Sequence, residues 1–201
     1  MGVMARTTPA TKPSEARTRL LNTALRIFYA EGIHAVGIDR IVEEAQVTRA
    51  TLYRHFLGKE ELVVAYLNTV DAAMRAQAAT ATERGHSPAE TLKAIAEAIA
   101  GGIRSPEFRG CAFLNAAAEY PDPEHPVHQA VLAHRQWFQD TVTALFTEIH
   151  EESAEPAARH FVMLRDGAMA AGCLSGADLV CETFLRGVEG LLKAQAERTN
   201  R

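Results

Sequence analysis

The chain has 201 residues, of which 47% are hydrophobic, 6% aromatic and 23% charged, and its formal net charge is −4 at pH 7. That length holds an ordinary core and leaves room for two units. No run is apolar enough to cross a bilayer, and the start, MGVMARTTPATKPSEARTR, has no hydrophobic signal region, so a cytoplasmic protein without membrane contact is expected.

The charge is unevenly placed. Residues 1–60 carry nine Lys and Arg against six Asp and Glu, a balance of +3, whereas the remainder carries twelve against nineteen, a balance of −7. The front attracts phosphate and the rear repels it, although an acidic rear also serves solubility. Residues 1–13, with Arg6, Pro9, Lys12 and Pro13, read as a disordered basic arm, either a minor-groove reader or an inert tail. The first helix is expected from about Ser14.

Residues 32–62, GIHAVGIDRIVEEAQVTRATLYRHFLGKEEL, carry the strongest signal. Ile38, Ile41, Val42 and Ala45 recur at helical spacing, a break falls at Gln46 and Val47, and Thr48 offers a hydroxyl cap to a second short helix. In that helix Leu52 and Phe56 lie four apart and pin it inward, leaving Arg49, Ala50, Thr51, Tyr53, Arg54 and His55 to face out. Such a face suits a major groove: Arg bonds guanine edges or phosphate, Thr meets a thymine methyl or a phosphate, and Tyr hydroxyls bond phosphate oxygens. Lys59 follows at the next helix start, where free N–H groups and the helix dipole favour an anion.

This helix-turn-helix outline resembles the N-terminal domain of the TetR family of one-component repressors. The resemblance rests on Leu52, Tyr53, His55, Phe56, Lys59, Glu60 and Leu62, with Phe28, Gly32, Ile41, Ala45 and Val47 upstream, and covers roughly residues 15–65. It implies an all-α fold: a three-helix DNA-binding domain over 14–62 and a helical effector-binding and dimerisation domain over 63–201. It also implies contacts with double-stranded DNA, a palindromic operator, from Thr48, Arg49, Ala50, Thr51, Tyr53, Arg54, His55, Lys59 and Gly37. Three positions depart from the family pattern. Gly37 stands where a capping Ser or Thr is usual, Gln46 replaces a turn glycine and is expected to be left-handed, and Ala50 replaces a glycine near the DNA.

Beyond Leu62 the pattern predicts helices near 60–82, 88–104, 108–119, 125–150, 156–174 and 177–197. Met74, Ile99, Ile103, Phe108, Leu114, Trp137 and Phe138, with Cys111 and Asn115 as polar contacts, would suit a pocket for a small, mostly apolar effector, although such stripes also build plain core. The stretch GCAFLNAAAEYPDPEHPV also resembles the effector-domain segment of one TetR subgroup. The late helices carry small residues that permit close approach, and with the resemblance this gives a homodimer interface at Gly167, Ala171, Phe184, Gly187 and Leu191.

The expected function is therefore a sequence-specific transcriptional regulator, a repressor released from its operator by the effector. Two other triggers stay open: a metal at His125 and His128, or redox chemistry at Cys111. Cys111, Cys173 and Cys181 lack paired metal spacing and a CxxC, so reduced thiols and no resident cofactor or metal are expected. No phosphate loop, G-x-S-x-G or H-E-x-x-H is found, which argues against an enzyme.

Overall fold

The computed structural model describes residues 14–83 and 85–199, with 81–83 given by backbone alone; the expected basic arm over 1–13 lies outside them. Among the described residues the chain is all α, with helices α1 (Glu15–Glu31), α2 (Ile38–Glu44), α3 (Arg49–His55), α4 (Lys59–Glu83) and α5 (Pro88–Ile103). Then come α6 (Ala112–Glu119), α7 (Pro126–Ile149), α8 (Ala154–Ala171) and α9 (Ala177–Thr199), with one 3-10 turn at Glu151–Ser153. None of these is long and apolar enough to cross a membrane.

Helix starts and stops follow local chemistry. The Ser14 hydroxyl accepts the Arg17 N–H, and α1 then buries Leu20, Thr23, Ala24, Ile27 and Phe28 along one stripe. It stops at Gly32, whose φ of +94° suits a residue without a β-carbon. Helix α2 ends in a Schellman turn: the Val47 N–H reaches the Val42 carbonyl and the Gln46 N–H the Glu43 carbonyl, both at 3.0 Å. Gln46 occupies the left-handed position at φ +52°, as the sequence predicts, and is the one non-glycine residue with positive φ among those described. Helix α5 opens with Pro88 in its first turn and a reciprocal capping box between Ser87 and Glu90.

Helix α6 begins at Ala112, later than the 108–119 span expected. The Tyr29 hydroxyl donates to the Gly110 carbonyl at 2.9 Å and accepts the Arg109 N–H at 3.0 Å, while Gly110 turns through φ +86°. Those bonds hold 108–111 as a loop across a separation of about eighty residues.

Buried side chains form two clusters. One joins α1, α2, α3 and the start of α4 to α6 and the start of α7, through Phe28, Ile41, Leu52, Phe56, Leu67, Phe113 and Val127. The other joins α5, α7, α8 and α9 through Leu92, Phe146, Phe161, Phe184 and Leu192, and Met169 packs against both. Each such side chain contributes about 1.5–3 kcal/mol of transfer free energy, so α6 and α7 are bound to the N-terminal helices by core packing. Helix α7 is central, touching α4, α5, α6, α8 and α9.

Candidate nucleic-acid interface and interior cavity

Helix α3 is held at both ends. Thr48, extended at φ −91° and ψ 159°, accepts the Thr51 N–H at 3.1 Å, and fully buried Leu52 with Phe56 fixes the inner face. Arg49, Ala50, Tyr53 and Arg54 stand exposed, Tyr53 at 47%, while Thr51, His55 and Lys59 are half-buried. Arg49, Thr51 and His55 already have side-chain partners, Thr51 through the Thr48 hydroxyl at 2.9 Å. The Arg49 guanidinium forks onto Asp39 with two bonds of 2.6 Å, which hold the Asp39 carboxyl below the usual carboxylate range. His55 Nε2 lies 3.0 Å from the Ser14 hydroxyl and so ties α3 to the α1 cap. Gly37 caps α2 by backbone alone, and a β-carbon there would meet no atom within 4 Å. Burial lowers the Lys59 pKa and Glu119 opposes that shift.

From this face two connections run inward. Helix α4 begins at Lys59, directly after α3, and continues without a break to Met74, Gln77 and Ala78 on the wall of a cavity of about 420 Å³ between α4, α5, α7 and α8. Helix α6 makes the second, because the Glu119 carboxylate at its end accepts the backbone N–H groups of Ile33 and His34 in the turn before α2.

Of the residues expected to line a pocket, the structure brings Met74, Ile99, Trp137 and Phe138 to this cavity. Ile103 is buried in the core, Phe108 and Leu114 pack against the clusters, and Asn115 donates to the Arg109 carbonyl at 2.9 Å. Cys111 faces an adjoining space of about 320 Å³ that also touches Leu25 and Tyr29 of α1; Met74, Arg165 and Met169 line both spaces.

Arg165 is what sequence reasoning missed. The residue is 5% exposed, with Nη1 donating to Asp166 at 2.9 Å, Nη2 to the Cys111 sulfur at 3.1 Å, and Nε without a partner. Burial opposes its charge, but Cys111 and Asp166 outweigh that and hold the proton. A signal existed: Ala158, Phe161, Val162, Arg165 and Ala168 form one buried stripe of α8, and the arginine interrupts it. Beside it Arg75 bonds Asp71 at 2.6 Å and lies 4.5 Å over the Trp137 ring, and His134 Nδ1 meets the other Asp71 oxygen at 2.7 Å.

The residues read as a metal or redox trigger are otherwise engaged. His125 Nδ1 accepts the Val127 N–H, His128 Nδ1 lies 2.6 Å from the Tyr120 carbonyl, and Cys111 contacts Arg165. Among the described residues no three His, Cys, Asp or Glu side chains are grouped to hold a metal. Of the five expected interface residues, Gly167 is exposed with open space around it, Ala171 is half-buried, and Gly187 and Leu191 line a groove between α8 and α9. Phe184 instead turns into the core of its own chain, 6.4 Å from the Phe161 ring.

Residues 20–66 match the family described as bacterial regulatory proteins, tetR family, and residues 88–158 match the tetracyclin repressor-like C-terminal domain. A solved TetR-family transcriptional regulator from Streptomyces coelicolor is 63% identical, with a TM-score of 0.88 over 90% of this chain and 96% of that one. The transcriptional regulator TcmR of Streptomyces glaucescens is 29% identical over 99 residues, 49% of this chain and 43% of that protein. LmrA of Bacillus subtilis is 27% identical over 126 residues, 61% of this chain and 67% of that one.

Proposed function

Because the chain belongs to the TetR family of DNA-binding transcriptional regulators, we propose that it is a repressor that leaves a palindromic operator when a small, mostly apolar effector enters the α4–α5–α7–α8 cavity. It is a regulator and not an enzyme, as its relatives are. The observation that carries the release mechanism is the unbroken course of α4 from Lys59, beside the recognition helix, to the cavity wall at Met74.

In this reading α3 enters the major groove with Thr48, Arg49, Ala50, Thr51, Tyr53 and Arg54 foremost, and Gly37 and Lys59 present backbone or ammonium groups to phosphate. His55 positions α3 through Ser14. Two protomers join along α8 and α9 through the faces that bear Gly167, Ala171, Gly187 and Leu191, with exposed Met163 beside them. Their recognition helices then sit about 34–36 Å apart, one DNA turn. An effector wedged against Met74 tilts α4 and alters that spacing. It releases DNA only if it binds the altered state more tightly, since equal affinity moves no equilibrium.

The test is titration of a palindromic fragment from upstream of the protein's own coding region, at two salt concentrations, with wild type and Tyr53→Ala. Tight, salt-dependent binding that Tyr53→Ala weakens is expected. Binding unaffected by the substitution would remove α3 from the interface.

A further inference from the structure

Within the cavity assigned above to the effector, Arg165 has a property that an apolar pocket does not need. A guanidinium presents its Nε–H and one Nη2–H side by side, the fork that fits two oxygens of a carboxylate. On Arg165 that edge carries only the soft Cys111 sulfur on Nη2, at 3.1 Å, and nothing on Nε. Buried donors are almost always satisfied, and this orphan belongs to a side chain on the cavity wall, so a small turn of the guanidinium would offer it an acceptor held there.

The charges around it point the same way. Asp166 is shared by Arg165 and Arg135, at 2.9 Å and 2.6 Å, and Asp71 is shared by Arg75 and His134. Three guanidinium groups thus share two carboxylates, and of the three Arg165 is the one on the cavity wall with Ile99, Trp137 and Phe138.

We infer that the cavity takes an amphiphilic carboxylic acid, its aromatic or aliphatic body between Ile99, Trp137 and Phe138 and its carboxylate on the Nε–Nη2 edge of Arg165. This rests on the effector reading above and narrows it to a chemical class. Seating the carboxylate draws Nη2 from Cys111, the residue before α6, and α6 holds the turn before α2 through Glu119. The same ligand group therefore bears on α6 as well as on α4.

The chain has one tryptophan, Trp137 on the cavity wall, so its fluorescence reports occupancy directly. The probes are two pairs matched in body, octanoate with octanol and 4-phenylbutyrate with 4-phenylbutanol, titrated into the full chain. Each acid should bind roughly tenfold or more tightly than its alcohol, the worth of a charge-assisted bond made inside a protein. Arg165→Gln should abolish the preference, and Arg165→Lys, which keeps the charge without the fork, should leave part of it. Thermal melts establish that each variant is folded, and Arg165→Lys carries the test if Arg165→Gln is not. Alcohols that bind as well as acids, or a preference that survives Arg165→Gln, would overturn the carboxylate while leaving the cavity as an effector site. Silence from both acids and both alcohols would overturn the cavity reading itself.

Discussion

The Glu119 carboxylate accepts the backbone N–H of Ile33 at 2.8 Å and so fastens the end of α6 to the turn that leads into α2. The His34 N–H goes to the other oxygen of the same carboxylate, and the His34 imidazole stands 3.6 Å away. Two peptide donors that no helix serves thus depend on one side chain 86 and 85 residues distant. Glu119→Ala should lower the unfolding free energy by about 1–3 kcal/mol, the cost of leaving such donors unmet. Glu119→Gln, which keeps one acceptor oxygen, should lose less. Urea denaturation measures both; equal stability of Glu119→Ala and wild type would mean that water replaces the carboxylate.

Gln46 offers a gain of the opposite sign. Its side chain is exposed and its backbone sits at φ +52°, so the turn uses nothing of glutamine except its peptide group. A non-glycine residue in that region costs about 1–2 kcal/mol, and both Schellman bonds are made by backbone atoms. Gln46→Gly should therefore raise the melting temperature by several degrees, an effect on the order of 1 kcal/mol. A lower melting temperature would show that the added freedom of the unfolded chain outweighs the relief of strain.

What could be read from the sequence follows from the range of the forces involved. The start of α1 at Ser14, the Thr48 cap and the left-handed Gln46 are set by neighbours within a turn or two, and all three were legible. The late start of α6 was not, because Tyr29 imposes it from about eighty residues away. Phe184 reads equally well as interface or core from helical spacing alone, and only the ring of Phe161 beside it decides. Arg165 looked like one more charged residue on a helix, although its place among Phe161, Val162 and Ala168 marked it as buried.

His134 makes stability depend on pH. It is stacked on Phe113 with ring centroids 3.6 Å apart and is buried. Burial pulls its pKa below the ordinary 6.5; Arg165 and Arg75 act in the same direction, and the Asp71 bond opposes them. Above pH 6.5 both folded and unfolded chains hold the ring neutral. As pH falls through 6.5 the unfolded chain takes up the proton first, so stability declines until the folded ring is protonated too. His134→Phe keeps a flat ring on Phe113, and Asp71 keeps Arg75. Melting curves between about pH 7 and pH 5 should fall less steeply for that variant than for wild type. Parallel curves would assign the pH dependence to other groups.

Gly37 is an unfilled cap. Its φ of −81° and ψ of 160° are those of a capping residue, a β-carbon meets nothing within 4 Å, and α2 begins without a side-chain acceptor. Gly37→Ser should stabilise the domain by a few tenths of a kcal/mol. The new hydroxyl would also lie beside the α2 N–H groups, where a phosphate is expected, so operator affinity should rise at constant sequence preference. Titration against the operator and against a scrambled duplex separates these effects: a gain on the operator alone would mean that the serine reads bases and not the backbone.

The Arg49–Asp39 fork sets the last expectation. Both side chains are more than half exposed, at 59% and 74%, so the pair adds little to stability, yet it occupies the first residue of α3. A guanidinium that must leave a carboxylate before meeting DNA binds more weakly than a free one, and Asp39 itself repels phosphate from the start of α2. Asp39→Asn removes both effects with little change of shape. It should leave the melting temperature near that of wild type, tighten operator binding severalfold, and steepen the dependence of log K on log salt by about 0.9 if Arg49 takes one phosphate. Tighter binding with an unchanged salt slope would place Arg49 on a base edge instead, and substitution of single base pairs in the half-site would then locate the guanine it reads. Weaker binding would mean that Asp39 holds Arg49 in the orientation that DNA requires.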